Sequence, residues 1–534
     1  MRVHVLARIE TDRKPAINRI ETSTSQSPSS SFYTLSAHSH RSPKTPPPGR
    51  WLPPGPRTLP VIGSVHHVVN TLVHRRLRDL AAAHGPIMML RIGPTLPLVV
   101  VTSRELAREV LKVQDPNFAN RPRLLVGGIC GYGWADVIFA PTTDYWRRIR
   151  KLCIHEVLSP KRVLSFQSIR EEEVQRQVEA IRAAAAGGEP VNVTGMVYDI
   201  SSRTISRSSF GEVRPDMAVF QGAIKRVIRL SSGFNVPDLF PRLREVLGEV
   251  TGMKRKLREI HRTFDRILVD IIEKRRRERA AWAAAGKEVA DENVVDVMLT
   301  LQQSGDNSWG FPVTDNTIKA VVLDMFAGGT GTSGSSTEWA MSEIVRNPRV
   351  MKKLQDEIRS TFRGKEAITE TDLRNSDLRY LKLVMKEAIR LHPAAPLLVP
   401  RESIATAELG GYVVPGGSRI VVNAWAISRD PRYWKDPEEF RPERFEEDGA
   451  ADFHGLHFEF TPFGAGRRMC PGYNYGLAGM QLALLRLMYH FDWRLPPGVD
   501  EVDMEEAMGL GVRRKNPLML CATPYIPGAA VSLG

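Results

Sequence analysis

Cysteine is scarce: Cys130, Cys153, Cys470 and Cys521 are all there are in 534 residues. They lie far apart and none forms a C-x-x-C pair. That excludes a disulfide framework and a zinc ribbon and suits a reducing compartment. Cys130, Cys153 and Cys521 read as small core hydrophobes. No run of ~20 apolar residues occurs, so no transmembrane helix is predicted. Acidic residues are the minority, 60 against 74 Lys and Arg, for a net charge of +14. An excess of that sign suits an acidic partner, an anionic membrane surface or nucleic acid. The densest basic run, Lys274-Arg275-Arg276-Arg277-Glu278-Arg279, has no aromatic residues between its cations. It follows the apolar face Phe264, Ile267, Leu268 and Ile271, and reads as the solvated end of a helix, not a nucleic-acid surface.

Residues 1–51 lack apolar periodicity. They hold nine serines between Ser23 and Ser42, then Pro46-Pro47-Pro48, with acids only at Glu10, Asp12 and Glu21. Three readings fit this atypical extension: a transit peptide, plain disorder, or a mispredicted first exon. Leu52-Pro53-Pro54-Gly55-Pro56 is a hinge whose prolines fix φ and stiffen the start of the body. No composition break follows, so residues 52–526 are expected to form one catalytic domain, with 527–534 a short tail. Hydrophobic residues make up 42% of the chain, enough for a sizeable core. Helical periodicity dominates, with fewer and shorter strand signals, so the fold class is mainly α with small β-sheets. One hairpin is predicted, from Gly85–Gly93 and Leu98–Thr102.

Several local patterns carry chemistry. Phe463-Gly464-Ala465-Gly466-Arg467-Arg468-Met469-Cys470-Pro471-Gly472 fits F-x-x-G-x-R-x-C-x-G at every fixed position. A Cβ at Gly466 or Gly472 is expected to hinder a close turn. An apolar-periodic run, Leu477 to Tyr489, follows, so Cys470 precedes a helix N-terminus, where the dipole favours negative charge on sulfur. In Trp146-Arg147-Arg148-Ile149-Arg150-Lys151, Trp146 and Arg150 are one helical turn apart and share a face. Glu387-Ala388-Ile389-Arg390 places an acid and a base at i,i+3, and Arg441-Pro442-Glu443-Arg444-Phe445 follows later. Lys319 to Val345 reads as one long helix carrying Gly328-Gly329-Thr330-Gly331-Thr332-Ser333. Its glycines, which also include Gly334, each weaken a helix by about 1 kcal/mol relative to alanine, so a bulge is expected here.

Taken in order along residues 52–526, these motifs resemble those of the cytochromes P-450. The resemblance is closest to the plant A-type branch, through Glu338-Trp339-Ala340-Met341 and Phe491-Asp492-Trp493. It implies a haem b (iron protoporphyrin IX) held between the Thr332 helix and the cysteine loop. Cys470 would be the axial thiolate, favouring O–O cleavage. Phe463, Gly466 and Gly472 would shape its loop, and Trp146, Arg150, Arg401 and Arg468 would meet the haem propionates. Glu387, Arg390 and Arg444 would form a structural triad. His392 is a core or surface histidine, not a ligand. Where the family carries Tyr-Gly before the Trp146 helix, this chain has Thr142-Thr143.

The implied activity is a monooxygenase. It takes O2 as co-substrate and electrons from NADPH through NADPH-cytochrome P-450 reductase, and it inserts one oxygen atom into a hydrophobic small molecule. Similarity of Arg513-Arg514-Lys515-Asn516 to grass enzymes points towards diterpenoids. The implied protein is a monomer at the cytosolic face of the endoplasmic reticulum with peripheral membrane contact, although the family's anchor is missing; plastid targeting is the other option. Substrate walls would be Leu124–Ile138, Phe220–Phe240, the helix face around Phe326, Ala395–Val399 and Met508–Val512.

One departure stands out. Gly331 occupies the place of the family's acid beside Thr332. Protons would then come through water held by Thr332 and Ser333, from a substrate hydroxyl, or with weaker coupling of oxygen to product. Two other classes fit the same residues: a reductase-independent haem-thiolate isomerase or dehydratase, and a non-catalytic haem-binding relic. A chain truncated to begin near Trp51 is expected to keep full haem content and turnover, measured against the complete chain; loss of haem incorporation would give residues 1–51 a folding role.

Overall fold

The central helix, Asp315–Arg346, organises the molecule. It begins with a reciprocal cap: the Thr314 hydroxyl accepts the Thr317 N–H, and the Thr317 hydroxyl accepts the Thr314 N–H. The computed structural model describes residues 51–525, apart from 70, 94–95, 232–234, 289, 306, 447–450, 508 and 510. The expectations for 1–50 and 527–534, and part of the proposed 508–512 wall, fall outside these residues. The central helix is regular α from end to end, so the bulge expected from its glycines is not there. Packing gives the reason. A Cβ at Gly329 would stand 2.7 Å from Ile205 Cδ1, and one at Gly334 would stand 2.9 Å from the Tyr198 ring. Both partners belong to the neighbouring helix Val193–Phe210. These two glycines allow close helix–helix approach, whereas Cβ atoms at Gly328 and Gly331 would meet nothing within 4 Å.

The expected hairpin forms, with Ile87–Ile92 antiparallel to Leu96–Val101 in the register Ile87↔Val101. Leu96–Val101 then pairs in parallel with Arg419–Val422, which also carries Arg401–Glu402. That sheet delivers Arg401 to the cysteine loop. A second sheet joins Val191–Asn192, Met519–Pro524 and Phe491–Arg494. Cys521 lies on it and is half-buried, while Cys130 and Cys153 are buried as expected. The helix Tyr473–His490 is buried along most of its length from Met480 onward, which fits its nearly uninterrupted apolar sequence.

Two expectations change. Phe326 is buried, stacked on Phe210 at 5.1 Å between centroids and edge-on to Phe220 at 4.9 Å. Phe326 and Phe220 therefore belong to an aromatic core cluster and not to a substrate wall; their contacts with one another exclude solvent from both. The basic run at 274–279 is not a solvated helix end. Arg275 binds the Asp296 carboxylate, Arg276 binds Asp315, and Arg279 donates to Thr300, so the run ties the helix Met253–Ala284 to its neighbours. The carboxylates come from segments brought alongside only by folding.

Glu387 and Arg390, both fully buried, form a two-pronged pair at 2.7 and 2.9 Å. Arg444 Nε donates to the same carboxylate at 2.9 Å, and the Arg441 N–H donates at 2.8 Å. The remaining Arg390 donors go to the carbonyls of Ser428, Pro437 and Glu439. One carboxylate thus fastens the helix Arg379–Leu391 to the meander before the cysteine loop. His392 is buried against it, stacked on Trp339 at 4.2 Å and bonded to Glu343 at 2.7 Å. Removing one partner of a buried pair costs about 3–5 kcal/mol. Glu387→Ala is therefore expected to give little soluble, haem-loaded protein in an expression and haem-content assay.

Candidate active site

The loop Phe463–Gly472 is held by its own backbone. The Cys470 N–H donates to the Phe463 carbonyl at 2.9 Å, and the Met469 N–H to the Gly466 carbonyl at 3.1 Å. Gly464 and Gly466 have φ of +67° and +68°. At Gly466 a Cβ would collide with the Leu111 carbonyl oxygen, so glycine is required twice over. Gly472 differs from expectation: its φ is −100°, and a Cβ there would meet only Leu158 Cδ1, at 4.0 Å. Its N–H favours the charged form of the Cys470 sulfur. The Phe463 ring packs against Phe453 at 5.2 Å and Tyr473 at 6.0 Å.

Cys470 stands just before the helix Tyr473–His490, with Gly472 as the cap. Burial pushes its thiol up, outweighing the Gly472 N–H and the Arg150 charge, which pull it down. The loop alone therefore keeps a thiol; a coordinated cation would deprotonate it.

Four arginines gather around the cysteine loop. Arg121 and Arg401 are each 5% exposed and Arg468 is 8% exposed. Arg150, half-buried, donates to the Met469 carbonyl. Arg468 donates to the carbonyls of Ala119, Val137 and Ala140 at 2.9, 3.1 and 2.6 Å, and lies 3.6 Å over the Trp146 ring. Arg401 pairs with Asp115 at 2.7 Å and donates to the Ala465 carbonyl at 2.9 Å. The Trp146 indole N–H, expected to reach a propionate together with Arg150, donates instead to the Val137 carbonyl at 3.0 Å. A buried donor takes the nearest buried acceptor. Thr143, in the unusual Thr-Thr pair, caps the Trp146 helix by accepting the Trp146 N–H at 3.1 Å.

The guanidinium cluster carries unbalanced charge. Arg468 is held down to about 9 by burial first, then by Arg150 and Arg401; Arg121 is lowered for the same kind of reason. The Asp115 and Asp136 carboxylates oppose this charge. This concentration of buried guanidinium charge fits a flat group bearing carboxylates, with Cys470 as its metal ligand. Haem meets both conditions.

Between its two buried ends, the central helix has one accessible stretch. Residues 327–333 are half-buried or exposed, although the helix is largely buried on both sides of them. Thr332 is exposed, and its hydroxyl donates to the Gly328 carbonyl one turn back. Ser333 does not share that face. It turns towards the helix after Cys470, where a Cβ at Gly476 would stand 3.4 Å from the Ser333 hydroxyl. There it lines a small cavity of about 20 Å³ with Gly329, Thr204 and Tyr475. The expected pairing of Thr332 and Ser333 around one water is thus not set up by the structure; neighbours on a helix point about 100° apart.

The family model for cytochrome P450 matches residues 53–522. This chain is a cytochrome P450. It is 45% identical over 478 residues to 5-epiaristolochene 1,3-dihydroxylase of Nicotiana tabacum, covering 89% of this chain and 93% of the relative. It is 46% identical to premnaspirodiene oxygenase of Hyoscyamus muticus with the same coverage. Desmethyl-deoxy-podophyllotoxin synthase of Sinopodophyllum hexandrum is 46% identical, covering 88% of this chain and 92% of the relative. A zebrafish cytochrome P450 structure with abiraterone superposes with TM-score 0.67 at 24% identity, covering 85% of this chain and all of that one, and shows the shared fold. The P450 uses haem and O2 and is a monooxygenase. Asp115, which binds Arg401 and accepts the Arg467 N–H at 3.1 Å, was not legible as a loop anchor in the sequence. The ferrous–carbon monoxide spectrum of the wild type is expected to be of thiolate type and that of Cys470→Ala is not; a thiolate-type spectrum in the variant would remove Cys470 from the iron.

Proposed function

We propose that this P450 hydroxylates an apolar, ring-containing plant specialised metabolite, with Cys470 as axial ligand and Thr332 as the hydroxyl that manages protons. The observation that carries the reading is the accessible stretch of the central helix bearing Thr332, on a helix that packs against the one following Cys470, beside which buried arginines gather. When bound, the haem supplies oxygen activation; the protein supplies binding, orientation and proton control. Arg150, Arg401 and Arg468 would hold the propionates, using donors that now reach backbone carbonyls and Asp115. The Thr332 hydroxyl, bonded to the Gly328 carbonyl, would turn to hold a water and pass a proton from its Oγ1. Ser333 would support the helix contact and not the reaction.

Ile129, Ala327 and Leu397, all partly accessible and apolar, would wall the chamber and favour a hydrophobic substrate over a charged one. 5-Epiaristolochene and premnaspirodiene, named in the relatives, guide the choice towards terpene hydrocarbons, with diterpenoids as a second class to screen. Electrons would come singly from NADPH through the flavoprotein cytochrome P450 reductase, at the cytosolic face of the endoplasmic reticulum. Among the described residues no helix is long and apolar enough to cross a membrane.

Gly331 favours one rival, a reductase-independent isomerase or dehydratase, because a reaction without oxygen activation needs no acid beside Thr332. Product formation with and without reductase and O2 separates the two. In the oxygenase reading, Thr332→Ala is expected to consume NADPH at a similar rate while hydrogen peroxide rises about tenfold or more relative to product, since positioned proton transfer contributes roughly 10²–10⁴-fold. Unchanged product and peroxide would overturn the role of Thr332.

A further inference from the structure

Two acids lie at the far end of the Thr332 face. Asp324 is half-buried, whereas the other residues of 317–326 are buried. It precedes Thr332 by eight positions with Gly328 midway, so the three share one face and Asp324 lies about 12 Å from Thr332 along the axis. The Asp324 carboxylate accepts the Val137 N–H. Asp136, the residue before Val137, is 3% exposed; its Oδ1 accepts the Phe139 N–H, and its Oδ2 is buried with no hydrogen-bond partner. Gly131 makes room for this carboxylate, since a Cβ there would collide with Asp136 Oδ2.

We propose that Asp324, paired with Asp136, is the proton reservoir of the active-site chamber and stands in for the acid that Gly331 lacks. The proposal rests on the oxygenase reading above. Asp324 faces Asp136 from the loop, and Tyr145 and Cys153 from the Trp146 helix and the turn after it; Asp136 faces Tyr145, Arg121 and Arg468. Close carboxylates with little solvation do not both ionise readily. Asp324 is raised above the usual carboxylate range, first by burial of its carboxyl and then by the Asp136 charge, against the N–H groups of Val137 and Ile138. Asp136 is also raised by burial, opposed by the N–H groups of Phe139 and Ala140 and by Arg468. Two carboxyls crowded in this way, one of them with a buried oxygen that has no hydrogen-bond partner, favour sharing a proton. Gly328 and Gly331, where a Cβ would meet nothing within 4 Å, leave the helix face open to water between acid and hydroxyl. One proton leaves the pair for that water, and solvent reaching Asp324 returns it; only O–H bonds change. Asp324 acts through water and does not touch the reacting atoms.

The test is Asp324→Asn in the full haem-loaded chain, because the amide oxygen still accepts the Val137 N–H and spares the fold. Infrared spectroscopy of the wild type near neutral pH is expected to show a buried protonated-carboxyl band that shifts on deuteration and is lost in the variant. With reductase, product per NADPH is expected to fall about tenfold in the variant, a modest part of the roughly 10²–10⁴-fold that proton transfer contributes. The sign of the pH dependence follows from protonation: the wild-type peroxide share rises as pH rises through the titration of the pair, and the variant share is high and flat. A missing wild-type band, or wild-type coupling and pH profile in Asp324→Asn, overturns the reservoir while leaving the oxygenase reading intact. A wild type that shows the band but forms no oxygen-dependent product overturns the oxygenase reading, and this role with it.

Discussion

The close approach of the helix Val193–Phe210 to the central helix is the constraint on which the site depends. It requires glycine at 329 and 334, because Ile205 and Tyr198 already occupy the space that side chains there would need. With that face packed, the opposite face is fixed as well. Gly328, Gly331 and Thr332 are left facing open space, and Ser333 is turned towards the helix after Cys470. The glycines of one motif thus divide into two that permit packing and two that leave the Thr332 face bare. Their cost in helix propensity is offset by tertiary contact, which is where most helical stability in proteins arises.

Buried charge does the remaining construction. Glu387 gathers Arg390, Arg444 and the Arg441 N–H, holding the meander that leads into the cysteine loop. Asp115 gathers Arg401 and the Arg467 N–H from the other side. The Val137 peptide links two networks: its N–H goes to Asp324, while its carbonyl receives Trp146 and Arg468. A shift in the 136–140 segment would therefore be felt at both the guanidinium cluster and the central helix. A segment tied to both sides in this way holds its neighbours in a defined arrangement.

Some of this was legible along the chain. The cysteine loop, the Glu-x-x-Arg pair and the hairpin are local, so spacing alone carries them. Cys470 sits before its helix, and Arg390 meets Glu387, because three residues span about one helical turn. Asp136, Asp324 and Asp115 gave no such signal. Val137 and Asp324 are 187 positions apart, and Asp115 and Arg401 are 286 apart, so no periodicity relates them. The basic run at 274–279 looks like a solvated helix end in the sequence for the same reason, since its carboxylate partners arrive from other elements. Phe326 and Phe220 were placed on a substrate wall because an apolar side chain on a helix looks the same in sequence whether it faces a chamber or a core.

The sequence by itself determined the family, the cysteine that presents the sulfur, and the replacement of an acid by Gly331. These depend on which atoms are present and on spacings within a turn or a loop. Only the tertiary structure decided which way Thr332 and Ser333 point, which arginines share one anionic site, and which acid lies along the Thr332 face. Those depend on helix packing, and a rotation of about 100° per residue separates a side chain in the chamber from one in the core.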